Sequence, residues 1–354
     1  MVLDFFQKLN QHWEQKMPFA VYRKPASNHF VGVFQKDILL HTISDFSEKG
    51  FAFVSFDATQ KLIIPYENSD VYVQTAFQTN FYYPNNITEE VNVFEQQAFE
   101  NLVEKGITAI KKGVFQKVVL SRKMQVSCED IDLEKYFKKL TMLYPNAFCS
   151  IFFHPAIGLW LGATPEQLLQ SNENNIKTVA LAGTQLHVEN ESVVWEQKEK
   201  EEQQFVTDFI VNNLSGIARS VTVSQPYTFQ AGNLLHIKTD VEAVLNQEAT
   251  IGQVIERLHP TPAVCGLPKT PAQVFILKEE GYSREFYSGF LGELNVDCRS
   301  GREKQSDLFV NLRCMQIKNT TAHLYIGCGI TKESHPEKEF WETQNKSVTM
   351  RKIL

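Results

Sequence analysis

Short runs rich in β-branched and aromatic residues, separated by polar turns, constrain the fold of this chain more than any other sequence feature. Such runs predict β-strands at 30–34, 51–56, 117–126, 149–154, 158–163 and 178–184. Apolar residues at helical spacing predict helices over about 93–112, 194–217 and 336–350. Because these strands and helices do not alternate regularly, they predict an α+β fold.

The charge balance predicts a chain that binds neither nucleic acid nor membranes. Its 354 residues include 35 Lys and Arg and 41 Asp and Glu, which gives a net charge of −6. Nucleic acids and membrane surfaces are themselves anionic, so this balance argues against a general binder of either. No apolar run approaches the ~18 residues that cross a bilayer. Residues 1–17 lack the pattern of a signal peptide, and we therefore expect a cytoplasmic protein.

No linker composition and no internal repeat divides the chain, so residues 1–354 are predicted to form a single domain. The six cysteines are too sparse for a disulfide scaffold, and none lies in a Cys-x-x-Cys pair. They predict reduced, partly buried thiols rather than a zinc site or a redox centre.

Two predicted helices carry the same arrangement of carboxylates. Glu199 and Glu202 stand three residues apart, and Glu339 and Glu342 repeat this spacing with Lys346 on the same helix face. Four carboxylates near two helix starts could hold a hard cation, and magnesium suits such a ligand set best. From periodicity alone, solvated faces of two charged helices are the alternative.

Other candidate residues are weaker when taken one at a time. Lys117 opens a strand and could act as a base if desolvated, or it could simply reach solvent. Thr164, Pro165 and Glu166 resemble a helix start, where Glu166 would stay ionised unless strong burial raised its pKa.

Two further candidates could bind a carboxylate. The Gly327-Cys328-Gly329 segment follows a strand, and its backbone N–H groups could hold an anion if it forms a turn. A simple tight turn is the alternative. Arg313 could form a bidentate pair with a carboxylate, or it could be a surface arginine.

Ten motifs stand in one order along the chain: KVVLSR (117–122), GATPEQLL (162–169), LAGT (181–184), KEKEEQ (198–203), LHIKTD (235–240), LHPTPAVCGLP (258–268), REFYSGFLGEL (284–294), FVNLRC (309–314), GCGI (327–330) and EFWETQNKS (339–347). Together they resemble the chorismate-utilising enzymes, which include anthranilate, aminodeoxychorismate, salicylate and isochorismate synthases. The resemblance covers about residues 95–354, with about 1–92 as less typical N-terminal strands. It implies large antiparallel sheets packed together, with helices on the outside.

Variants within the motifs favour one kind of member. Family members that form a covalent lysine adduct carry Lys where this chain has Ala182, so that route is not available here. Ala263 replaces the Thr of the anthranilate-type string and also disfavours a salicylate synthase. The HPTPAVCG and REFYSGFLG strings resemble isochorismate synthases, which are isomerases that act before menaquinone or a siderophore. A salicylate synthase and a non-catalytic chorismate-binding protein remain the alternatives.

The resemblance also implies a role for each site residue, with chorismate as the substrate and Mg²⁺ as the cofactor. Lys117 would deprotonate a water that attacks C2, and Glu166 would protonate the departing C4 hydroxyl. The magnesium ligands would be Glu202 and Glu342, with Glu199 and Glu339 beside them. The remaining implied substrate-binding residues are Ala182, Gly183, Thr184, His236, Ala263, Arg313, Gly327, Gly329 and Lys346. Family members of this type are usually monomers, so the resemblance also implies that this protein is a monomer.

Overall fold

Two large antiparallel sheets dominate the computed structural model, which describes residues 4–76, 91–128, 130–186, 193–231 and 234–354. The strands are β1 (Phe19–Arg23), β2 (His29–Gln35), β3 (Gly50–Val54), β4 (Lys61–Pro65), β5 (Ser69–Thr75), β6 (Lys117–Ser127), β7 (Phe148–His154), β8 (Gly158–Thr164), β9 (Gln167–Asn172), β10 (Asn175–Leu186), β11 (Ala218–Val223), β12 (Tyr227–Ala231), β13 (Leu234–Leu245), β14 (Gly266–Leu267), β15 (Phe290–Leu294), β16 (Val296–Asp297), β17 (Arg302–Glu303), β18 (Gln305–Val310), β19 (Cys314–Lys318) and β20 (Thr321–Ile330). The helices are α1 (Phe5–Glu14), α2 (Val93–Lys111), α3 (Leu133–Leu143), α4 (Gln197–Ser215), α5 (Ile251–Leu258), α6 (Lys269–Glu279) and α7 (Pro336–Arg351).

Each large sheet contains nine strands within these described ranges. The strand order of the first sheet is β14-β6-β20-β19-β8-β7-β1-β2-β5. The order of the second sheet is β11-β13-β10-β9-β18-β15-β3-β4, with β12 also paired to β13. Every strand pair in the described residues is antiparallel, as the resemblance of the sequence motifs had implied.

The two sheets pack face to face through an aromatic core. Phe53 of the second sheet lies 4.3 Å from Phe152 of the first, measured between ring centroids. Phe148 and Phe309 stack across the same interface, also at 4.3 Å. Burying such large rings supplies a substantial part of the stabilisation, because each removes ~150–250 Å² of surface from water. The sheet interface is therefore the central layer of the protein.

Helices cover the outer faces of both sheets. In α3, Leu133, Phe137 and Leu140 follow helical spacing and are buried with α1 against the first sheet. Apolar residues of α4 and α5 pack in the same way against the second sheet. The α2, α6 and α7 helices share a core with β6 and β20 at the other end of the first sheet. This arrangement confirms the predicted α+β class with helices outside.

Two local predictions were wrong. Thr164 ends β8 and Gln167 begins β9, so Pro165 and Glu166 form a crossing from the first sheet to the second and not a helix start. The Gly327–Gly329 segment is not a turn, because it lies inside β20 and pairs with β6. Pairing with distant strands overrides the local turn and cap signals in both places.

The predicted helices largely match the structure. The helix expected over 93–112 is α2, and the one expected over 336–350 is α7. The middle helix begins at Gln197, about three residues later than predicted, because Glu196 acts as its N-cap. Within the described residues, no helix is long and apolar enough to span a membrane.

Candidate functional site

A cavity of about 210 Å³ collects nearly all of the predicted site residues. Its walls come from β6, β10, β13, β20, the β8–β9 crossing, α4 and α7. The predicted residues that line it are Lys117, Glu166, Ala182, Gly183, Glu199, Glu202, His236, Ala263, Arg313, Gly327, Gly329, Glu339, Glu342 and Lys346. Thr184 belongs to β10, and its side chain lies outside what the structure describes.

Strand β6 presents Lys117 to this cavity. Its alternation places Val118 and Leu120 in the core beneath α2, so Lys117 and Val119 face the other way and line the cavity. The Lys117 side chain is buried, and its Nζ donates a hydrogen bond to Glu202 of α4. This ion pair joins β6 to α4 at the floor of the cavity.

Gly329 makes room for the Lys117–Glu202 pair. A Cβ on Gly329 would lie 3.1 Å from Lys117 Cε and 3.3 Å from Glu202 Oε1. Both distances are tighter than ordinary van der Waals contact, so a side chain here would displace the pair. The glycine is required by close packing, and the pair fixes α4 over β6.

Glu166 occupies the crossing between the two sheets. Its amide donates to Thr164 Oγ1 at 3.3 Å, and its carbonyl accepts from the Val310 amide at 2.9 Å, so both neighbouring strands hold its backbone. Burial raises the pKa of the Glu166 carboxyl to about 7, although nearby Lys117 and Lys346 act in the opposite direction. Near neutral pH this carboxyl therefore carries a proton in a large share of molecules.

Arg313 and Lys346 supply positive charge to the opposite wall. Arg313 Nη1 donates to Thr349 Oγ1 of α7 at 3.1 Å, and burial lowers its pKa from the usual range. No carboxylate of the described residues pairs with Arg313. Lys346 Nζ donates to Glu342 Oε1 at 2.6 Å and to the Gly327 carbonyl at 3.0 Å.

Strand β20 directs backbone groups toward the cavity. Gly327 of β20 lies opposite Ser121 of β6. The Gly327 carbonyl accepts a hydrogen bond from Lys346, and the Ser121 amide donates one to Glu280 at 2.7 Å. The backbone groups of this pair are therefore not hydrogen-bonded to each other. In an antiparallel strand the N–H and C=O of one residue point to the same side, and residues two apart share that side. The N–H groups of Gly327 and Gly329 therefore face away from β6, where they can bind an anion.

His236 lies on β13 beside an irregular stretch of β10. Its Nδ1 donates to the Gly183 carbonyl at 2.9 Å, because a carbonyl can only accept. Burial lowers the pKa of His236 to about 4, so the ring is neutral at physiological pH and Nε2 is an acceptor. Gly183 has a φ of +70°, and a Cβ there would lie 3.0 Å from Glu199 Cβ, which explains the glycine.

The four predicted metal ligands reach the cavity from two helices, but their carboxylates have different partners. Glu202 accepts from Lys117 and Glu342 from Lys346, while Glu199 accepts from the Glu196 amide at 2.8 Å. Across the described ranges, no three Asp, Glu, His or Cys side chains already surround one point closely enough to hold a metal. Oxygen donors fit magnesium nonetheless, and these four carboxylates outnumber the three cationic side chains of the cavity.

The sequence motifs did not reveal every residue of the cavity wall. Tyr287 lies in the REFYSGF string and its hydroxyl is beside Gly327, 2.7 Å from where a Cβ would stand. Thr331 directly follows GCGI and also lines the cavity. The signal that could have identified Thr331 is strand alternation, since it stands two residues after Gly329.

Among the curated proteins that resemble this chain are two isochorismate synthases. Isochorismate synthase MenF of Escherichia coli strain K12 is 27% identical over 276 residues, which cover 75% of this chain and 62% of that protein. The salicylate biosynthesis isochorismate synthase of Pseudomonas aeruginosa is 28% identical over 270 residues, which cover 73% of this chain and 55% of that protein. This chain thus spans less than two thirds of the length of either relative.

A solved structure shows the same fold. The structure of MenF, the menaquinone-specific isochorismate synthase from Escherichia coli, matches with a TM-score of 0.80 at 22% identity. The match covers 95% of this chain and 88% of that chain. The family described as chorismate binding enzyme matches residues 55–354. Because this match includes every strand and helix that lines the cavity, the chain belongs to the chorismate binding enzyme family.

Proposed function

We propose that this chain is an isochorismate synthase, an isomerase that converts chorismate to isochorismate. In this reaction water adds at C2 of the ring and the C4 hydroxyl leaves. The observation that carries the proposal is Glu166, a buried cavity carboxyl whose pKa is raised to about 7. A general acid of this pKa holds a proton to give and loses it readily near neutral pH. Lys117, in the same cavity, is the proposed base.

The positive wall supports a dicarboxylate substrate. Arg313 lacks a carboxylate partner among the described residues, and a buried guanidinium is stabilised by a bidentate pair with one. We infer that Arg313, Lys346 and the Gly327 and Gly329 amides hold the enolpyruvyl carboxylate. His236 is neutral and would accept a hydrogen bond from the substrate, so it does not stabilise a carboxylate by charge. Ala182, Gly183 and Ala263 complete the wall around the ring.

Magnesium is proposed as the cofactor because of the charge of the site. Even with Glu166 protonated, the four carboxylates of α4 and α7 outnumber the three cationic side chains of the cavity, so an added cation would favour the binding of a dianion. Glu199, Glu202, Glu339 and Glu342 would hold the ion. When bound, it would supply positive charge that grips the ring carboxylate and orients the substrate.

A salicylate synthase is the second candidate, because one relative carries salicylate biosynthesis in its name. Such an enzyme would go on to eliminate pyruvate from isochorismate. Ala263 in the cavity wall argues against it, since a Thr there is the more lyase-like residue. A non-catalytic chorismate-binding protein is a third reading, and a binder would need neither Lys117 nor Glu166.

The deciding experiment is incubation of the purified protein with chorismate, first with magnesium and then with EDTA, followed by chromatography of the products. We expect isochorismate only with magnesium, without pyruvate or salicylate. Salicylate with pyruvate would make the chain a salicylate synthase, and no product would leave a binding protein. Light scattering on the same sample should give the mass of a monomer. Whether isochorismate feeds menaquinone or a siderophore is a separate matter of the host pathway.

A further inference from the structure

Arg284 and Glu280 form an ion pair next to the cavity wall. Both side chains are almost completely buried, and neither residue lines the cavity itself. Arg284 Nε donates to Glu280 Oε2 at 2.8 Å, and Arg284 Nη2 donates to Glu280 Oε1. Removing two charges from water is costly, so such a pair is stable only where further hydrogen bonds satisfy its remaining donors and acceptors.

These further hydrogen bonds go to one edge of strand β6. Arg284 Nη2 also donates to the Val119 carbonyl at 2.6 Å, and Glu280 Oε1 accepts from the Ser121 amide at 2.7 Å. The strand β14, which pairs with this edge, has only two residues, and beyond it no strand of the described ranges lies along β6 on this side. Because a buried carbonyl or amide without a partner costs free energy, the ion pair takes the place of a neighbouring strand.

The same guanidinium joins two segments of the cavity wall. Besides its bond to the Val119 carbonyl, Arg284 donates from Nη1 to the Val264 carbonyl at 2.9 Å. Val119 and Val264 both line the cavity. Val119 stands two residues after Lys117 in β6, and Val264 directly follows Ala263. Arg284 therefore fixes the separation between the strand that carries Lys117 and the segment that carries Ala263.

We propose that Arg284, held in place by Glu280, is a positioning residue for the conversion of chorismate. It sets the distance between β6 and the 263–264 segment, so that the substrate ring lies at a reactive distance from Lys117. This inference rests on the proposed isochorismate synthase activity. Arg284 acts through the backbone of the wall and not by contact with the substrate. Displacement of reacting groups by ~1 Å can lower a rate by ~10²-fold, so a looser wall should slow the reaction.

Lysine at position 284 cannot reproduce these contacts. Arg284 bonds through all three of its nitrogens, and its guanidinium lies 4.4 Å from the Phe56 ring centroid. A lysine has one nitrogen and cannot present donors in the same planar fork. The proposed carboxylate-binding and magnesium-binding side chains belong to other parts of the fold, namely Arg313, α4 and α7. We therefore expect Arg284→Lys to lower kcat and to leave KM and the magnesium requirement nearly unchanged.

The test compares Arg284→Lys with Arg23→Lys. Arg23 is the matched control, since it is buried, donates to the Thr141 and Tyr144 carbonyls at 2.7 and 2.6 Å, and does not line the cavity. Both variants should have lower melting temperatures, because each loses bonds to backbone carbonyls. Well below those temperatures, we expect Arg284→Lys to show at least about 10-fold lower kcat, with KM and the half-saturating magnesium concentration within about threefold. Arg23→Lys should keep the kinetics of the unmodified protein.

Ser121→Ala tests the same pair without disturbing a buried charge. Ser121 Oγ donates to Glu280 Oε1 at 2.9 Å, and Ser121 does not line the cavity. Loss of this one hydrogen bond should loosen Glu280, lower kcat by about threefold and leave KM unchanged. The melting temperature should fall by only a few degrees. This variant provides the answer if Arg284→Lys does not fold.

A normal kcat in folded Arg284→Lys would show that the pair is only structural and would overturn the proposal. A normal kcat in Ser121→Ala would do the same if Arg284→Lys does not fold. An equal loss of kcat in Arg23→Lys would assign the effect to general loosening of the protein, which also contradicts a positioning role. Absence of isochorismate from the unmodified protein would refute the proposed activity itself and this inference with it, so the two failures are distinguishable.

Discussion

Glu166 occupies the place where the chain passes from the first sheet to the second, and its surroundings determine its chemistry. Burial of the carboxyl favours its neutral form and outweighs the attraction of Lys117 and Lys346 for the charged form. An acid catalyst must be protonated, and this group loses its proton as pH rises through about 7. Turnover should therefore decline above neutral pH, which a rate profile between pH 5 and 9 would measure.

We predict that Glu166→Gln lowers turnover by at least about 100-fold, because the amide cannot donate a proton in the reaction. The same variant should gain stability at high pH. The pKa of Glu166 is raised in the folded protein from 4.5 to about 7, so folding loses stability as pH rises through that window. Glu166→Gln escapes this loss, and its melting temperature should exceed the wild-type value at pH 8 but not at pH 5.

The control for this prediction is Glu248→Gln, which removes an exposed carboxylate between β13 and α5. It should leave both rate and melting temperature unchanged at each pH. A Glu166→Gln variant with wild-type turnover would leave the general acid unidentified.

At the scale of elements, Arg122 fixes α7 to β6. Its Nε donates to Thr343 Oγ1 at 2.7 Å and its Nη2 to Gln344 Oε1 at 2.6 Å, while the guanidinium lies 4.8 Å from the Phe340 ring centroid. The same helix carries Glu339, Glu342 and Lys346 on its cavity side. Since β6 carries Lys117, this one side chain couples the proposed base to the proposed metal-binding helix.

We predict that Arg122→Lys destabilises the protein by about 2 kcal/mol, because lysine cannot reproduce the forked hydrogen bonds or the stacking. It should also raise the magnesium concentration needed for half-maximal turnover. Denaturant unfolding and a magnesium titration measure the two effects. Arg219→Lys, the same exchange at an exposed strand position, should change neither. Wild-type values for both quantities in Arg122→Lys would show that α7 is held by other contacts.

At the scale of the whole molecule, the N-terminal residues 4–76 are built into both large sheets. β1, β2 and β5 extend the first sheet, and β3 and β4 form the edge of the second. Tyr22 and Phe51 are fully buried in the aromatic layer between the sheets, 5.1 Å apart. These contacts favour one cooperative unit over a separate N-terminal segment.

We predict that a chain beginning at residue 93 does not fold. The truncation removes strands β1 to β5, which would expose the aromatic layer and leave several strand edges unpaired. Near-ultraviolet circular dichroism and thermal unfolding of the truncated and full chains provide the test. Cooperative unfolding of the truncated chain would place a domain boundary near residue 92 and contradict the single-domain prediction.

The positions of several strands and helices, and the family of the protein, could be predicted from the sequence. The run of β-branched residues correctly placed Lys117 at the start of a strand, and helical periodicity located α2 and α7 within a residue or two. The order of the ten motifs indicated the family, which the match over residues 55–354 confirmed. These features depend on short-range periodicity and on residue identity, and both are present in the chain before it folds.

Only the tertiary structure decided how these residues act together. Lys117 and Glu202 are 85 residues apart, and no local pattern could pair them. Burial raises the pKa of Glu166, and this burial depends on tertiary structure, since Glu166 lies at the crossing between the two sheets and bonds to Val310 of β18. Pairing with β6, about two hundred residues away in the chain, placed Gly327 and Gly329 inside β20, an interior strand of the first sheet. The sequence by itself indicated most of the polar and charged residues that reach the cavity, because residue identity and motif order are local, whereas long-range packing set their partners and their distances.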